Sequence, residues 1–198
     1  MKLKLAFAAL MLVATTATAA PKIGEPAPAF SLAGSDGKSH ALSDYKGSYV
    51  VLEWTNDGCP FVRKHYGSGN MQSLQKEETG KGVAWLSIVS SAPGKEGYVD
   101  AAKATELTKS RKAAPTVVLL DPAGEAGHAY GARTTPHMFV IAPDGTLIYM
   151  GGIDSIASAD VEDIAKATPY VKVALAEAMA GKPVTNAVTK PYGCSVKY

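Results

Sequence analysis

Cys59 and Cys194 are the side chains of this sequence best suited to covalent chemistry, and Cys59 has the more telling neighbours. It follows an apolar run, Tyr49-Val50-Val51-Leu52, and a break, Trp54-Thr55-Asn56-Asp57-Gly58, and it directly precedes Pro60. Proline favours the first helical position, so the pattern predicts a helix from Pro60 with Cys59 at its entrance. Unpaired backbone N–H groups and the positive end of the helix dipole favour thiolate over thiol there, and Arg63 and Lys64 lie about one turn on. A thiol so placed is a candidate nucleophile. Cys194 sits in the tail Lys190-Pro191-Tyr192-Gly193-Cys194-Ser195-Val196-Lys197-Tyr198. If the tail reaches back, Cys194 can resolve a sulfenic acid or mixed disulfide on Cys59. The alternative is a permanent disulfide pinning the tail, worth about 4.7 kcal/mol in the chain-entropy model for so long a loop. His65, six positions after Cys59, falls on a different helix face and makes no Cys-His pair by spacing. Trp54 and Trp85 read as core or pocket residues, and no cofactor motif is present.

These side chains need elements to position them. Strands are predicted at residues 49–54, 83–89, 116–120, 138–142 and 146–150, the last two forming a hairpin across Ala142-Pro143-Asp144-Gly145. Helices are predicted at 60–66, 71–78 behind Asn70, 97–112 and 125–130, with a final one capped by Thr168, with Pro169 in its first turn, and ended by Gly181. The alternation indicates an α/β fold: a central mixed β-sheet flanked by helices, with a closing β-hairpin. Pro136 stands directly before a buried strand; it cannot donate to a ladder and restricts Thr135 to an extended conformation.

The start of the chain predicts its compartment. Lys2 and Lys4, the apolar stretch Leu5 to Ala14 and the small residues Ala17-Thr18-Ala19 read as a signal peptide over residues 1–19, cleaved near Ala19. Ten apolar residues are too few for a span that needs about 20, so no integral membrane anchor is expected. Export, most simply to a periplasm, places the thiols in an oxidising space. Residues 20–198 carry 18 basic and 18 acidic side chains with no cluster of like charge. That argues against a nucleic-acid partner, for which a basic patch supplies the affinity. The division expected is one domain over 20–180 and a tail, 181–198, carrying Cys194.

A cysteine between the first core strand and the following helix, then Thr135-Pro136 before a terminal hairpin with an Asp-Gly turn, resembles the thioredoxin superfamily. The resemblance implies a thioredoxin-like fold in which Pro136 is cis and lies against the Cys59 sulfur, with its flanking backbone pairing an extended substrate. The opening Ile23-Gly24-Glu25-Pro26-Ala27-Pro28-Ala29-Phe30-Ser31-Leu32, with Leu42-Ser43-Asp44-Tyr45-Lys46-Gly47, resembles redoxins of the peroxiredoxin-like, thiol-specific-antioxidant type. Two positions depart from these patterns. Val62 replaces the second cysteine of a CxxC pair, which excludes a self-contained cycle there. Leu52 and Asn56 replace the proline and the Thr or Ser that peroxiredoxins place before their nucleophile. Peroxide chemistry needs a hydrogen-bond donor and a cation beside the thiolate, for which Asn56 with Arg63 or Arg133 are the candidates; the other reading of each arginine is a solvated surface charge.

The expected function is therefore an exported thiol oxidoreductase. Cys59 is its nucleophile on a disulfide or peroxide, Cys194 a resolving thiol, and Asn56, Arg63, Arg133, Thr135 and Pro136 bind substrate or stabilise thiolate. No cofactor or metal is expected, and the partners are a protein thiol or disulfide, or a peroxide, with an external electron donor. One alternative is a peroxiredoxin-like peroxidase proper. Another is a redox-inert binding module with a structural Cys59–Cys194 disulfide. Copper handling, seen in some exported thioredoxin-like proteins, usually employs two close cysteines and a histidine, and the single thiol at Cys59 makes it the lesser alternative. His137 starts the strand that lies next to the sulfur in the family fold, although a partly exposed histidine at a strand edge reads more simply.

Overall fold

A computed structural model describes residues 20–198, so the expected signal peptide at 1–19 lies outside the described residues. The apolar runs form the centre of the sheet. β3 (Val50–Trp54) and β4 (Ala84–Val89) are buried along their whole length and pair in parallel, Val50 opposite Ala84 and Trp54 opposite Ile88. β5 (Val117–Leu120) extends the parallel set beside β4, and β7 (His137–Ile141) runs antiparallel on the other side of β3. β8 (Leu147–Gly151) closes the hairpin with β7. A hairpin of β1 (Ser31–Gly34) and β2 (Ser39–Ala41) adds to β5, giving a seven-stranded mixed sheet in the order β2-β1-β5-β4-β3-β7-β8.

Alternation along β3 divides the core between two faces. Val51 joins α1 (Pro60–Gly67), α2 (Asn70–Gly80) and α5 (Tyr170–Met179) through Val62, Met71 and Leu175. Val50, Leu52 and Trp54 face the other way, against Tyr130 of α4 (Glu125–Tyr130), Phe139 and Leu147. α3 (Ala101–Ser110) packs Ala104 on Val89 and Val118. It is shorter than the sequence predicts because Asp100 caps it, accepting from Lys103 N at 2.7 Å, whereas Gly97 has φ +83°. Gly69 rather than Asn70 precedes α2, and Pro169 precedes α5 instead of entering it. No helix among the described residues is long and apolar enough to cross a membrane.

The segment after α5 is docked to its end. Met150 N donates to Ala187 O and Thr189 N to Met150 O, which carries the chain along β8. It then crosses to a separate two-stranded ribbon, where β9 (Cys194–Ser195) pairs antiparallel with β6 (Thr134–Thr135), Cys194 opposite Thr135. Tyr198 ends the chain stacked on His128 at 4.0 Å, its hydroxyl donating to Ala132 O.

Candidate active site

The turn from β3 into α1 fixes Cys59. Asn56 Oδ1 accepts from Gly58 N at 2.7 Å, which folds the turn, and Asn56 Nδ2 donates to Glu96 O. Cys59 is the N-cap residue of α1 and Pro60 its first helical residue, so the free amides of the first turn face the sulfur. The side chain is 0 % exposed, and its thiol donates to Thr135 O at 2.9 Å. The Thr135-Pro136 bond is cis. The site is thus closed by three pieces: the head of α1, the Thr135-Pro136 turn and β9.

Both cysteines are free thiols, and they lie within hydrogen-bonding reach of each other. Burial pushes the Cys59 thiol up, but hydrogen bonds from the side chains of Cys194 and Thr135 and from the Cys194 and Val62 backbone outweigh it, leaving Cys59 below the ordinary cysteine value. Cys194 moves the other way: burial first, then the bond to Cys59 and its charge, push it up to about 11. When the pair loses one proton it therefore leaves from Cys59, and Cys194 keeps its own to donate. The Thr135 hydroxyl is buried without a hydrogen-bond partner while Cys59 is a thiol, so it is free to turn to the thiolate.

A second buried group lies behind the turn. Glu53, on the same face of β3 as Val51, is 0 % exposed and accepts from Tyr66, Gln75, Trp85 and Ser87. Burial raises its carboxyl, and those four donors oppose the rise. Arg111 spans the gap to the surface, bonded to Asp57 in the Cys59 turn and stacked over the Tyr66 ring at 4.8 Å.

Residues 23–150 match the AhpC/TSA family. The chain belongs to that family. No curated protein matches it significantly. Among solved structures, an uncharacterized conserved protein from Geobacillus kaustophilus is similar at 25% identity and TM-score 0.75, covering 89% of this chain and 92% of that one. A thiol:disulfide interchange protein of the DsbE kind from Chlorobium tepidum shares 25% identity at TM-score 0.54, over 66% of this chain and 85% of its own. The exposed lipoprotein thioredoxin of Streptococcus pneumoniae shares 27% at TM-score 0.51, over 70% and 97%. An AhpC/TSA redoxin with the thioredoxin-like fold is consistent with the mixed sheet described above.

Within this AhpC/TSA chain, Cys59, Thr135, Pro136 and Cys194 come together. The other sequence candidates stand apart from the sulfur. Arg63 is exposed, with Nε donating to Asp57 O at 2.8 Å, and Arg133 is exposed, its carbonyl accepting from Val196 N. Asn56 uses both ends of its amide on backbone, Oδ1 on Gly58 N within the turn and Nδ2 on Glu96 O outside it. His137 is buried rather than partly exposed, and it faces Phe139 across 4.5 Å, on the side of the sheet opposite Cys59. Among the described residues no group of three His, Cys, Asp or Glu side chains could hold a metal ion. Sequence reading missed Glu53, whose partners come from α1, α2 and β4, and Tyr192, whose place depends on the path of the tail.

Proposed function

We propose that the protein is an exported thiol–disulfide oxidoreductase in which Cys59 attacks and Cys194 resolves. The observation that carries this reading is the lowered thiol of Cys59 beside a raised Cys194 held opposite Thr135. In the first step the Cys59 thiolate attacks one sulfur of a disulfide RS–SR′, a new S–S bond forms to Cys59 and R′S⁻ departs and takes up a proton. Cys194 then gives up its proton, attacks the Cys59 sulfur and expels RS⁻, closing the Cys59–Cys194 disulfide. Two electrons have passed to the substrate, and an external dithiol returns them. A disulfide ranks ahead of peroxide because, of the two cations a peroxide would call on at the sulfur, Arg63 is turned to the Asp57 carbonyl and Arg133 is exposed. Export rests on residues 1–19, and the surface-exposed lipoprotein thioredoxin with a similar fold supports it.

The test is oxidation of the reduced protein by a model disulfide, followed by peptide mapping and titration of the potential. The expected result is one Cys59–Cys194 bond that forms reversibly, above the roughly −300 mV typical of structural disulfides. Recovery of the two cysteines as separate thiols during turnover would remove the resolving role. A bond resistant to strong reductants would favour an inert module.

A further inference from the structure

The tail reaches Cys59 through Tyr192-Gly193-Cys194, and each residue meets a different part of the site. Tyr192 is 8 % exposed, and its ring meets Phe61 of α1 edge-on at 5.8 Å. Its hydroxyl donates to Asp154 Oδ1 at 2.5 Å, the one hydrogen bond the carboxylate takes from another side chain among the described residues; the same oxygen also accepts from Ile156 N at 3.1 Å. Asp154 is buried, and its second oxygen accepts no hydrogen bond; Lys64 Nζ and His65 Nε2, both buried on α1, stand 3.8 and 3.7 Å from it. Asn70 Nδ2 donates to His65 Nδ1 at 2.8 Å, which leaves the imidazole proton on Nε2, facing Asp154 and the Tyr192 hydroxyl. Buried charges stay only where they are paired and bonded, so this cluster grips the hydroxyl that completes it. Gly193 follows with φ +134°, and a Cβ there would overlap the Thr135 carbonyl. The thiol chemistry proposed above makes no use of the cluster, and the ribbon that carries Cys194 is only two residues long.

We propose that Tyr192 is a positioning residue: its bond to Asp154, with the close fit of Gly193 on Thr135, holds Cys194 beside Cys59 and so decides whether a sulfur bonded to Cys59 is displaced within the chain or by an external thiol. The inference rests on reading the two cysteines as a redox pair. A mixed disulfide Cys59–SR has two fates. Attack by the Cys194 thiolate on the Cys59 sulfur releases RS⁻ and closes Cys59–Cys194. Attack by an external thiolate R′S⁻ on the SR sulfur forms RS–SR′ and returns Cys59 as thiolate. Their ratio measures the effective molarity of Cys194, which an anchor two residues away raises by restricting where the thiol can be.

The experiment equilibrates the full chain with glutathione buffers of set ratio, quenches with acid and reads intact mass, alongside the pH profile of Cys59 alkylation. Wild type should hold the Cys59–Cys194 bond with little glutathione on Cys59. Tyr192→Phe keeps the ring and loses the hydroxyl; it should lower the effective molarity of Cys194 about tenfold and move the alkylation midpoint upward. Gly193→Ala should lower it further. Tyr198→Phe, which loses a comparable bond at the far end of the tail, should stay within about twofold of wild type. Wild-type partition in Tyr192→Phe, or an equal fall in Tyr198→Phe, overturns the positioning role even where the disulfide forms normally. A wild type that forms no Cys59–Cys194 bond overturns the pair reading instead. Should Gly193→Ala fail to fold, the two tyrosine variants decide the matter.

Discussion

At the scale of single residues, Thr135 separates acidity from stability. Its hydroxyl is buried and bonds nothing while Cys59 is protonated, and it lies where it can bond to the thiolate and favour it. Replacing an unbonded buried hydroxyl by a methyl of the same shape is close to neutral for folding. Thr135→Val should therefore unfold in urea within about 1 kcal/mol of wild type, while the Cys59 alkylation midpoint rises by about one pH unit. A stable variant whose midpoint does not move would remove Thr135 from the thiolate's support. The arginines teach the converse. Arg63 lies four positions after Cys59 in sequence, but its guanidinium turns back to the Asp57 carbonyl, outside the pocket. Nearness along a helix fixes distance between backbones; the hydrogen bonds at hand decide where a long side chain ends.

At the scale of elements, the ribbon that carries Cys194 contrasts with the sheet beneath it. β3 pairs over five residues on each side, whereas β6 and β9 share two, extended by the Val196 N bond to Arg133 O. So short a ladder opens locally without unfolding the core. In the reduced protein the Val196 amide should exchange with deuterium at least about 100-fold faster than that of Leu52, and oxidation should narrow the gap; equal protection in both states would mean that the tail does not open by itself. The same contrast explains what could be read from the sequence. Long apolar runs bounded by glycine or proline gave β3, β4, β5, β7 and β8 to within a residue or two, and Pro60 gave the head of α1. β1, β2, β6 and β9 are two to four residues long and partly exposed, and such segments carry too few side chains for a period to emerge. Glu53 was hidden because a lone carboxylate inside an apolar run says nothing of Gln75, Trp85 and Ser87, which meet it only once α2 and β4 are packed.

For the whole molecule, two histidines tie stability to acidity. Burial, with the charge of Lys64 in one case and Arg133 in the other, holds His65 and His137 down to about 4, while Asp154 pulls His65 partly back. In the unfolded chain both titrate near 6.5, so between pH 6.5 and 4 the unfolded state binds protons that the folded state does not. Stability from this source is complete above pH 6.5 and falls as the pH drops, by at most about 1.4 kcal/mol per pH unit for each histidine. Glu53, raised by burial, acts in the opposite sense over part of that range, so variants should be compared with one another. His137→Asn should lower the slope of stability against pH in urea titrations from pH 7 to 4 by up to about 1.4 kcal/mol per pH unit relative to wild type, and an unchanged slope would show that His137 does not titrate on unfolding. The two thiols, finally, lie far apart in the sequence and meet only because β3, the Thr135-Pro136 turn and β9 are all in place. In a CxxC pair, closure is a local event that a short peptide can perform. Here the redox couple is a property of the tertiary structure, and linkage makes the relation mutual: whatever factor folding adds to the equilibrium for closing the bond, closing the bond returns to the equilibrium for folding.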